Sequence, residues 1–170
     1  MALSRCIETR LMEAVLREVK ACFAQADLGL ATIYADRIYA RPWSEGEPIT
    51  PHTVYVNPSP LMWEPGASGV SVNIYAVEVA FVFPWNAANF ANGQNTFLDH
   101  VEELRAWLVT GGTMPNNHLD IEDPDNAGAS LGWLRSFRWT DPQPAPGNAG
   151  MAVPVILEYE TRETKAGVRA

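Results

Sequence analysis

The chain is poor in cysteine, histidine and charge. Of its 170 residues two are Cys, three are His and 19% are charged. Cys6 and Cys22 both fall in the first predicted helix, where the intervening turns hold them ~24 Å apart, far beyond disulfide reach. They read as reduced, buried, small apolar side chains, which fits intracellular synthesis. No apolar run approaches the roughly 20 residues of a membrane span, and the start MALSRCIETR lacks the apolar block of a signal peptide. The expectation is a chain made in the cytoplasm with no membrane partner. His52, His100 and His118 are too few and too scattered for a hydrolytic metal site. The chain has no G-x-S-x-G elbow, and Ala67-Ser68-Gly69 does not supply one. It also lacks G-x-x-x-x-G-K and G-x-G-x-x-G. We therefore expect no catalytic residue, no cofactor and no metal, hence no enzyme. Positive charge is scarce too: 12 Lys and Arg against 20 Asp and Glu give a net charge of -8. Wrapping nucleic acid needs clustered Lys and Arg. The slightly basic stretch from Arg162 to Arg169 reads as a solvated tail.

Apolar residues are plentiful at 47%, enough for one domain with a real core. Ser4 to Ala24 has helical spacing, with Ile7, Leu11, Met12, Val15, Leu16, Val19, Cys22 and Phe23 on one stripe and Arg10, Glu13, Arg17 and Lys20 opposite. Ser4 is the expected cap and Gly29 the stop. Ala31 to Ala40 and Thr53 to Asn57 read as strands. The stretch Val70 to Phe83 (VSVNIYAVEVAFVF) is longer than a usual strand. Its apolar residues change face part-way: Val70, Val72, Ile74 and Ala76 point one way, and Tyr75, Val77, Val79, Phe81 and Phe83 the other. Thr96 is the expected cap of a second helix, Phe97 to Thr110, stopped by Gly111 and Gly112. Leu131 to Thr140 and Met151 to Thr161 read as strands, with Trp133, Arg135, Phe137 and Trp139 on one face of the first. Pro154 removes a ladder donor, so the last strand is expected at an edge or with a bulge. Long loops are expected at 41–51, 58–69, 84–95, 113–130 and 141–150. The fold expected is α+β, a single domain over 1–170 with a mostly antiparallel sheet of four to five strands and two helices packed on one face.

Several clusters carry chemistry in principle. Asp120, Glu122, Asp123 and Asp125 offer ligands for a hard cation, but they lack the glycine turn and ligand order of a calcium loop. A solvated acidic loop is the simpler reading. His100 and Glu103 have half the spacing of a bundle metal motif, with nothing to supply the other half, so they read as a surface helix pair. Trp133, Phe137 and Trp139 beside Arg135 and Arg138 resemble a base-stacking platform. The negative net charge favours aromatics in the core with arginines at its margin. Trp43, Trp63 and Trp85 lie in loops, either as interface anchors or as core plugs. The two helices cover one face of the long ribbon, the Tyr75–Phe83 side. Val70, Val72 and Ile74, with Trp63 and Trp85, are then the candidates for a subunit interface.

The order IETRLMEAVLREV, VNIYAVEVAFVF, TFLDHVEELRAWL, WLRSFRW and VPVILEYETR resembles the tail terminator proteins of long-tailed bacteriophages, and related head–tail neck proteins share much of the plan. The resemblance lies in element order and size over about residues 4 to 162. It implies a virion protein that assembles as a homo-oligomeric ring, commonly a hexamer. Such a ring caps the tail tube protein, stops its polymerisation and joins head–tail connector or neck proteins. DNA would pass without specific binding, and an acidic lumen, with Asp120, Glu122, Asp123 and Asp125 as candidates, would repel it. The competing readings are another neck, tail-tube or baseplate subunit, or a small-ligand-binding α+β domain.

Overall fold

The computed structural model describes residues 6–26, 33–41, 52–58, 62–64, 70–84, 90–114, 119–145 and 150–164, giving the backbone path alone at 62–64, 70–72, 84, 90–97 and 162–164. The expected stop Gly29 lies outside the described residues. Helix α1 is Ile7–Gln25. Its apolar stripe is the buried one: Leu11, Ala14, Val15, Val19, Cys22 and Phe23 face the core. The cap position is Cys6, with extended backbone and no side-chain cap bond, not the expected Ser4. Cys6 is exposed and only Cys22 is buried, which corrects the reading of both as buried. Helix α2 is Phe90–Val109, seven residues longer at its start than expected from 97. The FANGQN segment is helical although Asn and Gly are weak helix formers. At its other end Gly111 and Gly112 take left-handed φ of 97° and 53°, the conformation that releases a helix and that glycine enters without Cβ strain.

The sheet is mixed. Among the described residues it has eight strands: β1 (Ile38–Tyr39), β2 (Thr53–Pro58), β3 (Met62–Glu64), β4 (Val70–Pro84), β5 (Asp120–Glu122), β6 (Ser130–Trp139), β7 (Gln143–Pro144) and β8 (Gly150–Thr164). The path runs β1-β2-β4-β8-β6-β5, with β3 also on β4 and β7 also on β8. Only the β1–β2 pairing is parallel among these strands. The fold class is α+β as expected, but the sheet is larger than four to five strands. The additions are short: β3, β5 and β7 lie inside the stretches 58–69, 113–130 and 141–150 read as loops. The expected strand over 31–40 is reduced to β1, preceded by a 3-10 turn at Ala35–Arg37.

At the centre, β4 and β8 pair antiparallel without interruption from Val70↔Thr164 to Pro84↔Gly150. β2 and β3 lie in succession along one edge of β4, and β6 and β7 in succession along the opposite edge of β8. Strand β8 is therefore central, contrary to an edge assignment. The gap beside it accommodates Pro154. The Pro154 carbonyl accepts from Thr140 N at 3.2 Å, so the missing N–H faces that same side. There the neighbouring strand breaks, between Trp139↔Val155 and Gln143↔Ala152.

The core fills the space between helices and sheet. Val77, Val79, Phe81 and Phe83 of β4 join Val54 and Val56 of β2, Met151 through Tyr159 at alternate positions of β8, and Val101, Leu104 and Leu108 of α2. Full burial of each large side chain stabilises by about 1.5–3 kcal/mol. The helices thus cover the Tyr75–Phe83 face. A second, smaller apolar group of Tyr55, Ala80, Val82 and Ala145 sits on the outward face, with Tyr39 and Ala152 against it.

Candidate assembly surface and its supports

Residues paired directly across an antiparallel ladder share a face, so register fixes what the outward side of the sheet displays. Glu78, Ile156 and Arg138 form one row, Ala76, Glu158 and Ser136 the next, and Ile74, Glu160, Trp133 and Asp120 a third. A register shift between Leu134 and Ser136 marks a bulge at Arg135. This bulge corrects the expected face of β6. Leu134, Phe137 and Trp139 lie opposite Tyr159, Leu157 and Val155 on the helix side, while Trp133 lies outward. The aromatics do not simply fill the core: Trp133 is 50% and Trp139 45% exposed.

Charges on this surface are paired across strands. Arg138 Nη2 donates to Glu158 Oε1, and Arg135 Nη1 lies 3.4 Å from Glu160 Oε2. Asn57 Nδ2 donates to Glu78 Oε1 at 3.4 Å. Further along, the Arg41 guanidinium sits 4.9 Å from the Tyr39 ring centre and 5.7 Å from that of Tyr55, a cation–π arrangement over the small outward cluster. Ile74 is buried within the single chain at 7% exposure. Val70, Val72 and Trp63 lie on β4 and β3 with side chains outside the described residues, and Trp85 lies outside them altogether.

The acidic segment is a structured hairpin and not a solvated loop. β5 and β6 are joined by a turn in which Asp123 N donates to Ala129 O at 2.8 Å and Gly128 N to Glu122 Oε1 at 2.8 Å. Asp123 is buried, and Arg10 Nη1 of α1 donates to its Oδ2 at 2.6 Å. Arg17 donates to Glu122 O at 3.0 Å and lies 3.8 Å from its carboxylate. Asp125 lies 4.0 Å from Arg10. These carboxylates are neutralised by helix α1, which disfavours a cation there. No group of three or more His, Cys, Asp or Glu among the described residues is arranged to hold a metal ion. Asp120 points away from this cluster, and burial raises its pKa while a Ser130 hydrogen bond partly offsets the rise.

Two buried polar groups position the helices, and the residue type of neither suggests burial. Glu18 falls on the apolar stripe of α1 and is 3% exposed. Its carboxylate accepts from Trp107 Nε1 at 2.9 Å, Thr113 N at 2.9 Å and the Thr113 hydroxyl, all at the end of α2. His100, expected on the surface with Glu103, is 1% exposed and Glu103 is exposed. The His100 ring stacks on Phe81 at 6.0 Å and meets Phe23 at 5.8 Å and His52 at 5.0 Å. Burial lowers the pKa of His52. The signal available beforehand was spacing: His100 precedes Leu104 by one turn and so shares its buried face.

No family model and no curated protein matches the chain. Among solved structures, it is similar to a chain described as "Virion of native gene transfer agent (GTA) particle". The match covers 94% of this chain and 100% of that one, with a TM-score of 0.56 and 14% identity. The two share a fold. A second solved chain aligns over 90% of this chain and 94% of its own at TM-score 0.47 and 16% identity, too loosely to carry an argument. No helix among the described residues is long and apolar enough to cross a membrane.

Proposed function

We propose that the chain is a structural protein of a phage-like virion, acting as a ring-forming subunit that caps the tail tube and joins it to the head. The fold shared end to end with a gene transfer agent virion chain carries this reading. The long β4–β8 ribbon supports it, because 15-residue strands leave more sheet surface than two helices of 19 and 20 residues cover. The ring, hexameric on the pattern of the family it resembles, contacts tail tube protein on one side and neck proteins on the other. DNA passes through without specific binding. The reading assigns the chain no catalysis and places it in the virion after synthesis in the host cytoplasm.

Light scattering and negative-stain microscopy of the full chain, alone and mixed with purified tail tubes, test this. Annular particles at tube ends and arrested tube growth are expected. A chain that stays monomeric alone and leaves tube growth unchanged overturns the terminator role. Rings that bind connector but not tube would move the subunit into the neck.

A further inference from the structure

Asp120, Trp133 and Glu160 stand side by side on three adjacent strands. Asp120 pairs with Trp133 across β5–β6, and Trp133 pairs with Glu160 across β6–β8. All three side chains therefore project from the same outward face, an indole flanked by a carboxylate on each side. The strands carrying the two acids lie about 10 Å apart, a span that an indole ring bridges. Together with Ser130, Leu131 and Gly132 the three residues line an open cleft of about 600 Å³. Trp133 is half exposed. The cation-over-ring contacts found among the described residues belong to Arg41, at Tyr39 and Tyr55, so the indole face carries none of them. Arg135 meets the Glu160 carboxylate. Asp120 meets a neutral hydroxyl, that of Ser130, and burial leaves it harder to ionise than an ordinary carboxyl.

We propose that the Asp120–Trp133–Glu160 row receives an arginine side chain presented by another polypeptide. Arg135 already pairs with Glu160, so the Asp120 carboxylate beside the indole sets the sign of the occupant. A planar guanidinium stacks on an indole and donates from its edges to carboxylates on either side, which a spherical ammonium does less well. The row lies at the β5 end of the sheet path. A polypeptide that approaches a sheet edge presents its side chains to the row beside it. The site stands on these residues and does not depend on ring formation.

The test uses fluorine NMR on the full chain labelled with fluorotryptophan, the Trp133 resonance being the one lost in Trp133→Phe. Acetyl-arginine amide is titrated as the probe, with acetyl-citrulline amide as its neutral isostere and spermidine as a free polyamine. The arginine probe shifts the Trp133 resonance saturably, with a dissociation constant in the millimolar range for a single side chain. Asp120→Asn weakens it about ten-fold, the loss of one charge-assisted bond. Binding weakens as pH falls through the Asp120 titration, and citrulline amide gives no saturable shift. An equal response to citrulline, an unchanged affinity in Asp120→Asn, or no saturable shift overturns the proposal. Spermidine binding as tightly as the arginine probe also overturns it, by assigning the row to free polyamines. If Asp120→Asn disturbs the other tryptophan resonances, Asp120→Ser serves in its place with the same expected loss.

Discussion

Alternate residues of β4 and β8 build two faces that are held in different ways. The inner face is apolar along its middle: Val77, Val79 and Phe81 face Leu157, Val155 and Val153, and all six are at most 2% exposed. The outer face mixes a small apolar cluster with cross-strand charge pairs and a half-exposed tryptophan. Stability resides on the inner face, because buried apolar area contributes far more than exposed ion pairs. The outer face is correspondingly free to change with little cost to folding, which is what a contact surface requires.

The largest break in this contrast comes from moving a charge inward. Val79→Asp buries a carboxylate without a partner at a fully buried position and should cost more than about 4 kcal/mol. The variant is expected to lose its cooperative thermal transition by circular dichroism. Glu78→Ala, one residue away on the outer face, should shift stability by less than about 1 kcal/mol. Equal damage from both would mean that the outer face is also closed within the single chain.

A smaller effect is expected where α1 locks onto α2. A Cβ at Gly112 would lie 2.3 Å from Glu18 Oε2, and the residue has φ of +53°. Gly112→Ala should cost about 2 kcal/mol by urea unfolding. In a Glu18→Ala background the nearest clash is gone and Trp107 Nε1 remains at 3.1 Å, so the same change should cost clearly less. Additive costs would show that strain in the turn, and not the carboxylate, decides. Next comes Arg10→Met, which leaves the buried Asp123 without its cation and should cost about 1–2 kcal/mol.

The long strands and both helices are legible because each carries its own period: β4 alternates on two faces and α1 repeats its stripe every turn. The short strands are not. β3, β5 and β7 have two or three residues each, and their pairing is imposed by the long neighbours that offer them open edges. The bulge at Arg135 escaped for a related reason, since alternation in WLRSFRW reads equally well without it, and its absence puts Trp133 and Phe137 wrongly on one face. Of the candidate site, the acidic residues could be seen, but not their division between Arg10 and Arg17 on one side and the Trp133 row on the other. That division depends on contacts between residues more than 100 positions apart, 113 for Arg10–Asp123 and 105 for Arg17–Glu122.

The burial of His52 against His100 on the inner face gives a pH effect on stability. Burial lowers the His52 pKa below its ordinary value of 6.5. The unfolded chain therefore binds a proton at higher pH than the folded one. The full contribution to stability is present above about pH 6.5 and is lost as pH falls below it toward the lowered value. Urea midpoints measured at pH 7.5 and 5.5 should differ less in His52→Asn than in the parent, asparagine being tolerant of the left-handed φ of 43° at this position.

The smallest expected effect sharpens the comparison most. Arg138 pairs with Glu158 on the outer face, and its side chain is 63% exposed. In the isolated chain Arg138→Ala should change stability by less than about 0.5 kcal/mol, as for other exposed pairs. If the outer face is covered in an assembly, the same pair loses its water there. Removing one partner then strands the carboxylate in a drier setting, where it costs several times more. Measuring the variant twice, by urea unfolding of the isolated chain and by dissociation of the assembled form on dilution, separates the two conditions. A larger loss in the assembly than in the isolated chain locates the contact on this face. An equal, negligible loss in both would move the contact to the helices or to the sheet edges.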